Sequence, residues 1–531
     1  MQARRLIARV FLALIAVCFA RFRDIAGGTV FAAAPGDLAP DTALPRETLA
    51  KIFQGKTGKF TPEELENLLN AHALLERYFA ASAAADQKKL AEQISATGLN
   101  GRVLGVLAHV RSSWGALAGG VYYINDKVGP HEVRYYLGVP RNYDLTLRWP
   151  LVVKLPAANA FLTNPPRDAA QVSAIYSAWI NDELAAHPNA LVLMPLLNLD
   201  DLYGPDPAGM NYVMQAILHS AGKVNIDPAR VYLFGHSMGA HAVWNIALHY
   251  PTYFAAINPM AGAAPRAWQR VRLGNLRNVL PVIWHDASDP FISVDESREI
   301  VRYLGTLKYE VDYDETKDVG HAPTAQIIAR EYAKVLSRQR ALYPRNVYVQ
   351  SNRLDAIFNR ADWVQIYQPM NPGREQKIIF SHGTQGMTVS QNSWRVIAEL
   401  TDANTINLTT ANVELLRLYL NDQMVDFSKP VKVIANGRER FNAMVPQSAE
   451  EMLKDQIFLG RGWRYFTGVI DIDLLDSPVS RESVSGAEAP AAPTTRRVIE
   501  YTTPEGEVKT YVPGEKAGSS GGGSDSGQGG N

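Results

Sequence analysis

The chain contains 531 residues, more than a single hydrophobic core of roughly 250–300 residues holds, so we expect two folded units with smaller additions. Lys and Arg total 53, as do Asp and Glu, so the formal net charge is zero. The chain therefore has neither the basic excess typical of nucleic-acid binding nor an acidic excess typical of disorder. The single cysteine, Cys18, excludes a disulfide framework and a Cys-based zinc site.

Residues 1–34 have the pattern of a cleaved signal peptide. Three arginines precede the apolar stretch Val10–Ala20, which is too short for a bilayer span of about 20 residues. Cleavage is compatible with the small residues near Ala20 or with those at 32–34. We therefore expect a secreted or periplasmic protein without a stable membrane span. The alternative is a surface anchor lipidated at Cys18, although Val17 suits that modification poorly.

Residues 35–117 are predicted to form an N-terminal arm and a small helical region that packs on the main domain. Thr61 and Glu64 are spaced as a capping box, and Pro62 suits the first turn of a helix. Apolar residues then recur at helical spacing.

The pattern changes over residues 118–342. Continuous apolar runs such as Leu151–Val153 and Val231–Phe234 alternate with amphipathic segments such as Met210–Leu218. This alternation predicts a mostly parallel sheet that is covered by helices on both faces.

Short strands separated by turn signals follow over residues 343–480, which predicts a C-terminal, all-β, sandwich-like domain. Residues 481–531 are predicted to be a linker and a disordered tail rich in Gly and Ser. Within them, Val498–Val512 has the pattern of a hairpin.

The strongest chemical signal is Gly235-His236-Ser237-Met238-Gly239, which lies between a predicted strand and a predicted helix. A nucleophilic serine must sit on a sharp turn, and side chains two positions away on either side would crowd that turn. We therefore predict that Ser237 is a nucleophile and that the Met238 N–H stabilises an oxyanion. The alternative is a tight turn with a solvent-facing serine.

A serine hydroxyl needs a base, and the base needs an orienting acid. In α/β-hydrolases these groups follow the serine in the order acid, then histidine. Asp289 and His321 follow two strand-like segments in that order, and we predict that they complete a triad. Asp286 lies after the same strand as Asp289 and remains an alternative acid. A surface loop histidine is the alternative reading of His321.

The second oxyanion donor is expected in the loop after an early strand. Pro156 has no N–H, so Ala157 or Ala158 is the candidate, with an ordinary strand-to-loop corner as the alternative. Tyr203, Trp284 and His236 are candidate substrate-binding residues. Packing is the alternative role for each of these three. No cofactor and no metal site are predicted, and the polar run 198–201 resembles a calcium loop only superficially.

Several segments resemble secreted bacterial esterases, namely Ile226–Tyr232, the serine turn, Trp244, His249–Pro251 and Phe254–Ile257. The related groups are polyhydroxybutyrate depolymerases, feruloyl or acetyl xylan esterases, and "predicted peptidase" relatives of dienelactone hydrolase. The resemblance covers about residues 130–340 and implies an α/β-hydrolase that cleaves carboxylic esters. It also implies Ser237, Asp289 and His321 as the triad, and it extends to the β region as a domain attached to some of these hydrolases.

Two positions depart from that pattern. Pro156-Ala157 stands where a His-Gly pair is usual, and Gly239-Ala240 stands where two glycines are frequent. We expect a serine esterase that acts on a small-molecule or polymer-linked ester. A serine peptidase and a catalytically weak binding or adhesion protein are the alternatives.

Overall fold

The computed structural model describes residues 44–57, 60–115, 117–128, 131–157, 168–196, 207–264, 267–353, 355–373, 375–382, 385–475, 499–502 and 508–511. The segment 1–34 lies outside the described residues. So do most of the predicted C-terminal tail, Ala158, Tyr203 and the polar run 198–201.

The first elements are helices that pack on one another. They are α1 (Arg46–Thr57), α2 (Pro62–Ala80), α3 (Ala84–Ser95) and α4 (Gly101–His109). The capping box predicted for α2 is confirmed, because Thr61 Oγ1 accepts from the Glu64 N–H and Glu64 Oε2 accepts from the Thr61 N–H. The buried face of α2 includes Leu68, Leu75 and His72.

Strands β1 to β8 form one sheet in the spatial order β1-β2-β4-β3-β5-β6-β7-β8. The strands are β1 (Gly120–Val128), β2 (His131–Val139), β3 (Trp149–Leu155), β4 (Leu191–Pro195), β5 (Ile226–His236), β6 (Ala256–Met260), β7 (Leu280–Asp286) and β8 (Asp312–Thr316). The helices around them are α5 (Ala169–Ala186), α6 (Pro207–Ser220), α7 (Met238–His249), α8 (Ala267–Val271), α9 (Val294–Thr306) and α10 (Ala325–Leu336).

Strands β3 to β8 run parallel, whereas β1 and β2 are antiparallel to each other and β2 is antiparallel to β4. The central strands are buried along almost their whole length, because helices cover both faces. This is the α/β-hydrolase fold. No helix in the described part of the chain combines the length and the apolarity needed to cross a membrane.

The C-terminal part consists mainly of short strands. They are β9 (Asn346–Ser351), β10 (Arg360–Ala361), β11 (Val364–Pro369), β12 (Glu375–His382), β13 (Gln385–Asn392), β14 (Trp394–Leu400), β15 (Thr405–Ala411), β16 (Val413–Leu420), β17 (Val431–Ala435), β18 (Arg438–Ala443) and β19 (Gly468–Asp473). One sheet has the order β18-β17-β15-β14-β9 and another β10-β11-β16-β19, while β12 and β13 form a hairpin. The strands β20 (Ile499–Thr502) and β21 (Val508–Tyr511) pair antiparallel, as the hairpin pattern predicted.

A helix that was not predicted from the sequence, α11 (Ala449–Leu459), packs the C-terminal part of the chain against the N-terminal helices. Its Met452 and Leu453 are fully buried in a hydrophobic cluster built mainly from α1 to α4. Arg461, just after α11, forms an ion pair with Glu76 of α2 at 2.6 Å. The N-terminal helices also contact the hydrolase domain, where His109 Nε2 at the end of α4 lies 2.9 Å from Asn225 Oδ1. The N-terminal helices therefore pack against both the hydrolase domain and the C-terminal part of the chain.

This shared core predicts that α11 stabilises the N-terminal helices. Leu453→Ala should lower the free energy of unfolding by about 2–5 kcal/mol, because it removes a buried side chain from a packed cluster. The measurement is the denaturant midpoint together with proteolysis of residues 44–114. Ile457→Ala on the same helix is the matched control, because Ile457 is 52% exposed. Equal effects of the two substitutions would contradict the shared core.

Candidate active site

Ser237 occupies a strained turn between β5 and α7. Its backbone angles are φ 56° and ψ −118°, a region that costs a non-glycine residue about 1–3 kcal/mol. A Cβ on Gly235 would lie 2.3 Å from the Gly239 backbone, and one on Gly239 would lie 2.3 Å from the Leu155 carbonyl oxygen. Both glycines are therefore needed to close the turn. The Ser237 N–H also donates to the Met260 carbonyl of β6 at 3.0 Å.

The structure brings Ser237, His321 and Asp289 into one hydrogen-bonded chain. His321 Nε2 lies 2.9 Å from Ser237 Oγ, and His321 Nδ1 lies 2.7 Å from Asp289 Oδ2. An ionised carboxylate accepts hydrogen bonds only, so Nδ1 carries the imidazole hydrogen and Nε2 is free to accept from the serine hydroxyl. This is the tautomer that a general base requires.

Asp289 is held in place by its own loop. Its Oδ1 accepts from the backbone N–H groups of Phe291 and Ile292 at 2.8 and 3.0 Å. Its side chain is fully buried, which opposes ionisation. Hydrogen bonds from His285, His321 and the Ile292 N–H outweigh that burial and hold the pKa of Asp289 well below its usual value. The carboxylate is therefore ionised at neutral pH.

Asp286, the alternative acid, makes different contacts. Its Oδ1 accepts from the Ser288 N–H and hydroxyl, and its Oδ2 accepts from the Thr316 hydroxyl and the Val319 N–H. Despite burial, these bonds hold the pKa of Asp286 well below its usual value. Asp286 therefore anchors the segment that precedes His321, while Asp289 contacts the imidazole itself.

His285 is a neighbour of the site that sequence reasoning did not identify. Its Nε2 lies 3.0 Å from the Ile292 carbonyl and 3.3 Å from Asp289 Oδ2, while its Nδ1 lies 2.7 Å from Ser297 Oγ. Since two acceptors face Nε2, that nitrogen carries the hydrogen and Nδ1 accepts from Ser297. The available signal in the sequence was a histidine that follows an apolar strand and lies shortly before the candidate acid. That signal does not reveal which group the imidazole ring contacts.

The three candidate substrate-binding residues lie in different surroundings or outside the described residues. His236 contacts His321, because its Nε2 donates to the His321 carbonyl at 2.8 Å and the two ring centroids lie 4.9 Å apart. Trp284 is fully buried in the core, and its indole donates to Thr316 Oγ1 at 3.1 Å. Trp284 therefore packs in the core, which was the alternative role, and does not line an exposed pocket. Tyr203 lies outside the described residues.

The oxyanion candidates lie where β3 meets the serine turn. Met238 is the first residue of α7, so its N–H belongs to the positive end of that helix. The close approach of Leu155 to Gly239 brings the end of β3 against the turn, and Pro156 and Ala157 follow directly. Ala157 is therefore next to the serine turn, whereas Ala158 lies outside the described residues. Within the described residues, no group of three or more His, Cys, Asp or Glu side chains is arranged to hold a metal ion.

Neither a protein-family model nor a curated protein sequence matches this chain. Among solved structures, a thermostable esterase is similar over 41% of this chain and 63% of its own, with 22% identity and a TM-score of 0.35. A ferulic acid esterase from the anaerobic fungus Anaeromyces mucronatus is similar over 43% of this chain and 93% of its own, with 13% identity and a TM-score of 0.30. Dipeptidyl peptidase 4 from Porphyromonas gingivalis is similar over 42% and 35%, with 11% identity and a TM-score of 0.31. The chain thus spans less than two thirds of the thermostable esterase and about a third of the peptidase.

The contacts of His236 predict a specific pH dependence. Burial and the neighbouring His321 lower the pKa of His236 to about 4, so the unfolded chain binds a proton there at a higher pH than the folded chain. The stability contributed by neutral His236 is complete above pH 6.5 and is lost as the pH falls towards 4, by up to about 3 kcal/mol. NMR titration should give a pKa near 4 for His236, and His236→Gln should flatten the decline in stability. An ordinary pKa near 6.5 would contradict the prediction.

Proposed function

We propose that this protein is an exported serine hydrolase that cleaves carboxylic esters through an acyl-enzyme intermediate. The observation that carries the proposal is the continuous contact of Ser237 Oγ, the His321 imidazole and the Asp289 carboxylate on an α/β-hydrolase fold. Export is proposed from the pattern of residues 1–34 alone. The substrate is a small-molecule or polymer-linked ester, in keeping with the resemblance of residues 130–340 to bacterial esterases.

The mechanism follows from the hydrogen bonds of the site. Ser237 Oγ attacks the ester carbonyl while its proton passes to His321 Nε2. The negative charge on the former carbonyl oxygen is stabilised by the Met238 N–H and by a second N–H from Ala157 or Ala158. His321 then protonates the leaving alcohol. Water hydrolyses the acyl-enzyme, with His321 acting again as the base and Asp289 holding the imidazole in position.

Replacing the nucleophile should abolish turnover of esters. Ser237→Ala should lower kcat on short acyl and aromatic nitrophenyl esters by about 10³–10⁶-fold, because the remaining residues cannot form the acyl-enzyme. A fluorophosphonate probe should label the wild-type protein and not this variant. Equal ester turnover by the two proteins would remove the assignment.

Parallel assays separate the competing activities. Peptide amides should be cleaved far more slowly than nitrophenyl esters with the same acyl group. Faster cleavage of the amides would favour a peptidase. The binding-protein alternative is motivated by Pro156 and the large β region. It is favoured if the fluorophosphonate probe does not label the wild-type protein at all.

The two neighbouring aspartates should differ in their effects. Asp289→Asn should lower kcat by about 10³–10⁴-fold, since the amide favours the wrong imidazole tautomer. Asp286→Asn, three residues earlier at the end of β7, is the matched substitution. It should change kcat by less than about tenfold and act mainly on the melting temperature, because Asp286 contacts the backbone and hydroxyl groups of its neighbours. The reverse order of effects on kcat would contradict the assignment of the acid.

A further inference from the structure

The imidazole of His285 joins three parts of the hydrolase domain beside the triad acid. His285 is the penultimate residue of β7, and its side chain is fully buried, as is that of Asp289. Its Nε2 faces the Ile292 carbonyl oxygen at 3.0 Å and Asp289 Oδ2 at 3.3 Å, and its Nδ1 lies 2.7 Å from Ser297 Oγ. The ring therefore connects β7 with the loop that carries Asp289 and with α9.

These contacts close a ring of hydrogen bonds around Asp289. The Ile292 N–H donates to Asp289 Oδ1 at 3.0 Å, and the Ile292 carbonyl accepts from His285 Nε2, whose hydrogen is shared with Asp289 Oδ2. One imidazole thus fixes the carboxylate against the backbone of its own loop. Because Ser297 donates to Nδ1, the His285 ring cannot turn over without losing a buried hydrogen bond.

His285 also completes the acceptor capacity of the Asp289 carboxylate. Oδ1 accepts from the N–H groups of Phe291 and Ile292, while Oδ2 faces His321 Nδ1 and His285 Nε2. Two carboxylate oxygens offer about four acceptor sites, and all are used. The side chain is fully buried, so the loss of one donor leaves its charge without compensation from solvent. The hydrogen bond from His285 is among those that hold the pKa of Asp289 well below its usual value despite burial.

Other charged groups near His285 have partners of their own. The titratable groups on the elements around the ring are Asp286 and Asp289, Glu315 on β8, His241 on α7, and Glu296 and Glu299 on α9. Glu315 pairs with Arg298, and the two glutamates of α9 pair with Arg270. Asp286 is hydrogen-bonded by hydroxyl and N–H groups. Asp289 is the carboxylate that contacts the His285 ring, so the ring acts on the triad acid.

We propose that His285 is a positioning residue of the triad, which fixes the orientation of the Asp289 carboxylate and offsets part of its negative charge. The role of Asp289 as the triad acid is taken from the proposed function, on which this inference rests. The hydrogen-bonded chain then runs from Ser297 through His285, Asp289 and His321 to Ser237. Without the His285 N–H, the charge of Asp289 would act more strongly on His321 and favour the imidazolium, so the base would stay protonated up to a higher pH.

His285→Leu tests this role, because leucine fills much of the same space and has no donor. On nitrophenyl esters, kcat per active site should fall by about 10–100-fold, the range known for outer groups that orient metal ligands. The acid limb of the pH profile of kcat/KM reports the base of the free enzyme. It should move by about half a pH unit or more to higher pH. A merely structural role would lower the amount of active protein and leave the profile in place.

Three further variants serve as controls. His285→Gln keeps a donor where Nε2 lies, so it should retain kcat within about fivefold and leave the acid limb in place. Ser297→Ala removes the group that holds the ring and should move the limb in the same direction by a smaller amount, and it decides the matter if His285→Leu does not fold. His249→Leu replaces another fully buried histidine, about 18 Å from Ser237 along α7. It should lower the melting temperature without moving the limb.

The pH dependence of the fluorophosphonate labelling rate is recorded for each variant, because that reaction needs the base but no particular ester. An unmoved limb in His285→Leu, equal shifts in His285→Leu and His249→Leu, or a shift in His285→Gln as large as that in His285→Leu would overturn the proposal. A wild-type protein that is labelled but hydrolyses no ester would contradict the proposed ester hydrolysis instead, and the labelling rates would still decide the role of His285.

Discussion

The candidate site depends on one backbone constraint, the turn that holds Ser237 at φ 56° between β5 and α7. The turn is possible because Gly235 and Gly239 leave room for each other and for the end of β3. The hydrogen bond from the Ser237 N–H to Met260 ties it to the next strand of the sheet. The strain of this turn is therefore supported by parallel strands that are buried on both sides, and the hydroxyl is presented at their carboxyl edge.

Around that turn, hydrogen bonds centred on Asp289 and on Asp286 hold the loops after β7 and β8 in place. Asp289 holds the imidazole of His321, and His285 contacts Asp289 from the other side. Asp286 fixes the segment that precedes His321 through Thr316 and Val319. Buried carboxylates that are fully hydrogen-bonded remain ionised, which keeps both loops in a single arrangement. His285 and Asp286 thus position the site although they do not contact Ser237 or the His321 imidazole.

The sequence predicted most of this arrangement because its signals are local. The glycine pair around Ser237 and the apolar runs of the parallel strands lie in short segments, and the order of serine, acid and histidine can be read directly along the chain. Position alone left Asp286 and Asp289 as alternatives, since Asp286 ends β7, Asp289 follows it closely, and only the contacts of the folded chain distinguish them. His285 was missed for the same reason.

Features that depend on distant contacts could not be predicted in this way. The packing of α11 against helices that lie more than 300 residues earlier has no local signature. The antiparallel strand β1 was also not predicted, because it is mostly exposed and lacks the continuous apolar run of the central strands.

The most direct test of Ser237 as the nucleophile is a crystal structure of the protein after reaction with a fluorophosphonate. The proposed site predicts a phosphorus–oxygen bond to Ser237 Oγ, His321 Nε2 within hydrogen-bond distance of the adduct, and a phosphonyl oxygen about 2.7–3.1 Å from the Met238 N–H. An adduct on another residue, or a phosphonyl oxygen that points away from the Met238 N–H into solvent, would contradict it.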